Sequence, residues 1–308
     1  MPQGQPHACE VKKIITRIKG GLGNQLFCYT AARRLALVNN AELVIDDVTG
    51  FVRDSLYRRR YMLDNFLIPV RKATPAERLE PFERYRRGVM KWLSRRRPFA
   101  ERYYLEQEGI DFDERLLSVK VRGTLYLDGL WQGENYFKDM EVTIRQDLRM
   151  APPKDEVNRK MARRISSCNA VAAHVRFFDK PDSINAQHNL DGNYYMRAAG
   201  EIMKRVDNPH FFLFSDNLTA ARQMMRLPEN QFTCVEHNQG EENACSDLWL
   251  MTHCRHFIIA NSTFSWWGAW LAEGEAKIVV CPGMNLIRNG AITAWNFSGQ
   301  IPDNWVQL

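Results

Sequence analysis

Ile14-Ile15-Thr16-Arg17-Ile18-Lys19-Gly20-Gly21-Leu22-Gly23-Asn24-Gln25-Leu26-Phe27 reads as an apolar strand, a glycine turn and the start of a helix that the pattern carries to about Val38. Ala41 to Asp46 follows as a second strand, so the chain opens β-loop-α-β. A doubly wound sheet begins this way, with its ligand loop at the carboxyl end of the first strand. Gly20 to Asn24 matches neither the G-x-G-x-x-G fingerprint nor the G-K-[ST] phosphate loop. Its glycines let a ligand approach the backbone, and Asn24 can donate and accept at a helix start. A purely structural turn fits the same residues.

Downstream, Ala151-Pro152-Pro153-Lys154-Asp155 is the best linker, because paired prolines cannot continue a helix and push their predecessors extended. Beyond it, short apolar runs at 170 to 175, 211 to 214, 257 to 260 and 278 to 281 alternate with helical patterns, which predicts a second parallel sheet. The expected architecture is α/β, with two doubly wound, Rossmann-like domains facing a central cleft. Residues 1–150 would form the first and 151–308 the second, with a mostly helical, basic insert at about 50–120.

The 308 residues suit two domains, and 45% hydrophobic with 25% charged residues is a globular composition. No apolar run approaches the roughly 20 residues of a membrane span, and Met1 to Val11 lacks the basic start and apolar core of a signal peptide. Seven cysteines without a C-x-x-C pair fit free thiols in a reducing cytoplasm. Residues 53 to 102 hold 15 Lys or Arg against 6 Asp or Glu, an excess of +9 in a chain of net charge +6. Within it, Arg84 to Arg102 interleaves basic residues with Trp92 and Phe99 and suits an anionic membrane surface, a lipid pyrophosphate or nucleic acid. A solvated helix face is the other reading.

Three segments carry candidate chemistry. Ala170 to Val175 is a buried strand that ends with His174 and Arg176 two residues apart, hence on one face at the strand's carboxyl end. A guanidinium there can grip a phosphate through paired hydrogen bonds, and Asp179 can hold Arg176 or accept a proton. A strand-end salt bridge is the plainer alternative. Phe211 to Phe214 breaks into Ser215-Asp216-Asn217, a turn that suits a ribose or merely caps a helix. His256 to Ala260 leads into Asn261-Ser262-Thr263-Phe264-Ser265 and then Trp266-Trp267-Gly268-Ala269-Trp270 at helical spacing. A hydroxyl-rich turn feeding a helix start is a natural phosphate seat, and the tryptophans read as core rather than as a sugar platform.

Together, Gly20 to Phe27, His174 to Asp179, Phe214-Ser215-Asp216 and Asn261 to Leu271 resemble the signature blocks of the α-1,2-fucosyltransferases, glycosyltransferase family 11, in order and spacing along nearly the whole chain. The resemblance implies a GT-B-like pair of domains, a GDP-β-L-fucose donor, inversion at the anomeric carbon and no metal or other cofactor. It implies that Arg176 binds the β-phosphate, that His174 meets the donor nucleotide and that Asn24 lies near the fucose. Ser262, Thr263 and Ser265 would line the pyrophosphate, and Gly23, Gln25, Ser215, Asp216, His256, Asn261 and Phe264 complete the donor set. Asp179 is the first candidate base, with Asp182 and Asp191 behind it. Phe177 and Phe178 depart from the family's H-x-R-R-G-D block, and Lys180 is a candidate to restore the lost charge.

The implied acceptor is an oligosaccharide or lipid-linked glycan, through the 2-hydroxyl of a terminal galactose, in bacterial surface-glycan assembly at the cytoplasmic face of a membrane. Competing readings are a metal-dependent transferase using Asp111-x-Asp113 or Asp46-Asp47, a silent or lectin-like glycan binder, and a transferase of another nucleotide sugar. The basic stretch has no recognisable nucleic-acid module.

Overall fold

The structure of the protein, a computed structural model, describes residues 11–55, 57–178, 189–274, 276–283 and 299–308. The opening segment forms strand β1 (Lys13–Arg17), helix α1 (Leu22–Asn39) and strand β2 (Glu42–Asp46). Gly20 takes φ +77°, a left-handed turn that swings the chain from β1 into α1. Helix α1 has almost no polar face: Leu22, Leu26, Phe27, Tyr29, Ala32 and Leu35 are all buried, so the helix runs through the core rather than along its surface.

Residues 50–120 depart from the mostly helical insert that their composition suggests. They supply strands β3 (Arg71–Lys72) and β4 (Tyr104–Glu106), with a single long helix, α2 (Glu83–Arg95), between them. With β5 (Thr124–Asp128) these complete a parallel sheet in the order β3-β2-β1-β5-β4. The insert is part of the sheet, because its short strands pair at both edges. Helix α3 (Glu141–Asp147) then leads to the Pro152-Pro153 segment.

Helix α4 (Glu156–Ser166) is capped by the Asp155 carboxylate, which accepts from the Asn158 N–H. A second sheet follows, with β6 (Asn169–Val175), α5 (Gly192–Met203), β7 (Pro209–Ser215), α6 (Leu218–Met225), β8 (Phe232–Cys234) and α7 (Ala244–Met251). It is completed by β9 (His256–Ile258), α8 (Thr263–Leu271), β10 (Val279–Cys281) and β11 (Val306–Gln307). All its pairings are parallel, in the order β11-β10-β9-β6-β7-β8. The sequence Ala-Val-Ala-Ala-His-Val suits central β6, since Ala170 and Ala172 face one core while Val171, Ala173 and Val175 face another.

Chain order within each sheet fixes where ligands sit. In the first sheet the chain leaves β1 toward β2 and returns on its other side as β5. In the second it leaves β6 toward β7 and returns on the other side as β9. Crevices open at the carboxyl ends of strands where the winding reverses. Here those ends are the glycine turn after β1 and, after β6 and β9, the His174-x-Arg176 and Asn261 segments.

The two reversal points meet. Helix α8 packs against α1, and one hydrophobic core runs continuously from Ile14 and Leu125 of the first sheet to Ala172 and Phe257 of the second. Trp266, Trp267 and Trp270 are core residues, as their spacing predicts. Each buries its ring and donates its indole N–H, to the Gln300 carbonyl at 2.9 Å, the Gly23 carbonyl at 3.0 Å and the Glu134 carboxylate at 3.0 Å. The six described cysteines are free thiols.

Candidate active site

The first turns of α1 and α8 abut. A β-carbon on Gly23 would stand 2.5 Å from the Thr263 carbonyl carbon and 2.6 Å from the Phe264 nitrogen, so only glycine permits this approach. Asn24 stitches the seam: its Oδ1 accepts from Thr263 Oγ1 at 3.1 Å and from Gln132 Nε2 at 2.7 Å. Neither helix has an acidic residue in its first turn, and neither has a side-chain cap. Two positive helix ends therefore converge where free N–H groups favour an anion.

Cations border the same place. At the end of β6, Arg176 reaches Asp216 at the end of neighbouring β7, with Nη1 to Oδ2 3.0 Å. The second Asp216 oxygen accepts from the Phe177 N–H at 3.2 Å, so this carboxylate orients both the guanidinium and the backbone that carries it. Arg176 remains about a third exposed and keeps donors for a ligand. From the first half, the Arg59 guanidinium lies 3.4 Å from where a Gly21 β-carbon would stand. Glu241 feels Arg59, Arg176 and Arg60 together; its carboxyl is raised above the usual range, chiefly by burial and against the pull of those cations. Arg59 and Glu241 are not distinguishable in the sequence, Arg59 because it sits in an Arg58-Arg59-Arg60 run within the basic stretch.

His174 lies beneath this seat. It is 5% exposed, its ring centroid is 5.5 Å from that of Phe264, and Nδ1 has no hydrogen-bond partner among the described residues. Burial drives its pKa down to about 3, with the Arg176 charge acting the same way, so the imidazole is neutral. The structure thus brings together Gly23, Asn24, His174, Arg176, Asp216, Ser262, Thr263 and Phe264.

Three of the expected donor-binding residues are engaged elsewhere in the fold. Gln25 is fully buried: its amide donates to the Gly20 and Arg60 carbonyls and accepts from the Met62 N–H, so it braces the glycine turn from behind. His256 stands at the start of β9, level with Val171, three residues short of His174 along the sheet, and its Nδ1 accepts from the Ile278 N–H. Ser265 is buried and its hydroxyl donates to the Ser262 carbonyl, which ties the first turn of α8 instead of facing the crevice.

Ser215 serves its turn, its hydroxyl accepting from the Asn217 N–H, and Asn217 caps α6. Asn261 leads into α8 next to Ser262, the residue that precedes its first turn. Asp191 caps α5, accepting from the Tyr194 N–H at 3.0 Å. Asp179, Lys180 and Asp182 lie outside the described residues. Phe177 is buried in the second-sheet core, whereas Phe178 is exposed with Arg176 5.6 Å over its ring.

The acids of the metal reading are engaged in structure. Asp46 accepts from Thr49 and pairs with Arg87, and Asp113 caps a short turn and pairs with Arg115. Among the described residues no group of three or more His, Cys, Asp or Glu side chains is placed to hold a metal ion. No helix among them is long and apolar enough to cross a membrane.

Two parallel sheets with their reversal points apposed across an anion seat define a GT-B-like protein. NodZ from Bradyrhizobium, a fucosyltransferase, superposes with a TM-score of 0.50 at 16% identity, covering 84% of this chain and 92% of that one. A point mutant of FUT1 from Arabidopsis thaliana, solved with GDP, gives 0.52 at 11% identity over 88% of this chain and 70% of its own. The chain belongs to glycosyl transferase family 11, whose profile matches residues 13–287. Similar proteins include an α-1,2-colitosyltransferase of Escherichia coli, 25% identical over 305 residues with 96% of this chain and 98% of the relative covered. The O-antigen biosynthesis glycosyltransferase WbnK of the same organism is 28% identical over 318 residues, covering 94% and 99%.

Proposed function

We propose that this protein transfers L-fucose from GDP-β-L-fucose, with inversion and without a metal, to the 2-hydroxyl of a terminal galactose in a surface polysaccharide. The observation that carries this reading is the seat where the uncapped starts of α1 and α8 abut, with Arg59 beside Gly21 and with Arg176 two residues beyond His174, whose ring meets Phe264. A departing nucleoside diphosphate needs such a place. As the acceptor oxygen bonds the anomeric carbon, the bond to the β-phosphate oxygen breaks and its electron pair leaves with GDP. Fixed N–H dipoles and a guanidinium stabilise that charge as it develops. His174, neutral and buried, would donate or accept one hydrogen bond to the nucleotide rather than carry a proton through the reaction. The acceptor proton needs a base, and Asp179 keeps that assignment. Asp191 recedes, since its carboxylate already caps α5.

The O-antigen setting of WbnK supports a lipid-linked glycan acceptor. A second donor reading rests on the colitosyltransferase relative and on apolar Phe177 in place of a second arginine. Colitose is fucose lacking one ring hydroxyl, so the same seat would serve either GDP-sugar.

The test is a transfer assay with GDP-fucose, GDP-colitose and GDP-mannose against a panel of β-galactosides, with and without EDTA. Transfer of fucose that survives EDTA is the expected result. Preference for GDP-colitose would establish the second reading, and GDP-mannose use would overturn both. Arg176→Ala should lower turnover on the order of 10²- to 10³-fold with an unchanged melting temperature. Near-normal transfer by that variant would remove Arg176 from the proposed role.

A further inference from the structure

Helix α2 is inside out. Its inward face is polar: Arg87 pairs with Asp46 at 3.3 Å, Lys91 and Arg95 with Glu106, and Ser94 exchanges hydrogen bonds with the Tyr104 backbone at 3.0 Å. Its outward face is apolar. Phe82, Tyr85 and Trp92 are 74%, 75% and 56% exposed, and Val89 and Leu93 are exposed beside them. At about 100° per residue, Tyr85, Val89, Trp92 and Leu93 fall on one third of the helix circumference, opposite the ion pairs, and Phe82 immediately precedes the first turn.

A soluble helix ordinarily turns such a stripe inward, so a large exposed stripe marks an interaction surface. The charge around it identifies the partner. Arg86 flanks the stripe, and Arg96 stacks on Trp92 with its guanidinium carbon 3.5 Å from the ring centroid. Beyond the helix, Arg97, Arg102, Lys120 and Arg122 line one pocket. Aromatic and aliphatic side chains rimmed by cations fit the boundary between headgroups and acyl chains of an anionic bilayer, where Trp and Tyr settle and Lys or Arg meet phosphate.

We infer that α2 is a membrane-docking helix that lies flat on an anionic bilayer, with Phe82, Tyr85 and Trp92 inserted and Arg86, Arg96 and Arg97 against lipid phosphates. It is anchored along the first sheet, through Asp46 and Glu106 at the ends of β2 and β4 and through Tyr104 at the start of β4. Docking would therefore hold the first sheet against the lipid surface. The inference does not depend on which sugar is transferred.

Co-sedimentation of the full chain with phosphatidylglycerol–phosphatidylcholine vesicles tests it, alongside pure phosphatidylcholine vesicles and duplex DNA. Binding to the anionic vesicles alone is expected, weakening as salt rises. The Tyr85→Ser/Trp92→Ser and Arg86→Glu/Arg96→Glu variants should each weaken it on the order of tenfold or more. Both pairs are on the surface, so circular dichroism and GDP affinity should stay at wild-type values. Absence of vesicle binding, unchanged binding by either variant, preference for DNA, or a solution dimer abolished by the same substitutions would overturn it.

Discussion

His174 and Gln25 are both buried polar residues near the glycine seam, and their hydrogen bonds separate their roles. Every polar atom of Gln25 meets backbone, whereas His174 Nδ1 has no described partner. An unpaired buried nitrogen costs roughly 1–3 kcal/mol, a cost that a bound nucleotide can relieve. The depressed pKa gives a stability test. The unfolded imidazole takes a proton below about 6.5, while the folded one stays neutral to about 3. Across that window the unfolded state binds more protons, so stability falls on acidification, by at most about 1.4 kcal/mol per pH unit for this residue. Urea unfolding from pH 4.5 to 7.5 should show a shallower acid loss for His174→Gln than for wild type. Identical slopes would mean that His174 is not buried neutral. The alternation of β6 makes the shared face of His174 and Arg176 legible in the sequence. Nothing in residue type tells that Gln25 and Ser265 spend their polar atoms on nearby backbone, whereas the place of His256 at the start of its strand is legible in the run that leads to Asn261.

Between elements, the contact of α1 with α8 depends on a missing side chain. Gly23→Ala would place a methyl group 2.5–2.6 Å from backbone atoms of Thr263 and Phe264, and backbone cannot rotate aside as a side-chain tip can. The helix starts must separate, at a cost of roughly 1–3 kcal/mol, and the anion seat widens with them. We expect a lowered melting temperature and weaker GDP binding by calorimetry in the same variant. Wild-type GDP affinity would show that the seat lies elsewhere. The Gly-Gly-x-Gly-Asn turn and the Asn-Ser-Thr turn are each readable as helix starts, but their apposition is not, because it joins residues separated by about 240 positions. Edge strands β3, β4, β8 and β11 escaped reading for a related reason: at two or three residues each they have no period to detect, and pairing with a neighbour makes them strands.

At the scale of the molecule, two sheets share a core. Phe27 packs 4.7 Å from Trp266 and 4.9 Å from Trp267, and Phe137 stacks on Trp267 at 5.5 Å, so rings of both halves interleave. The alternation of strands and helices announced two sheets, and the tryptophan spacing announced a core. That this core belongs to both sheets could be seen only in three dimensions, since its members come from 27, 137 and 266 to 270. Calorimetry should accordingly give one unfolding transition. Trp267→Ala should lower its stability by roughly 3–5 kcal/mol, through the cavity and the orphaned Gly23 carbonyl. Two resolved transitions in the wild-type protein would contradict a shared core.

The same interleaved rings bear on how such a chain can be divided. Cutting at Pro152-Pro153 would leave Phe27 and Phe137 on one fragment and the three tryptophans on the other, each exposing surface made for its absent counterpart. The halves are consequently poor candidates for exchange as modules. A graft of either half has to carry the matching side of the seam with it.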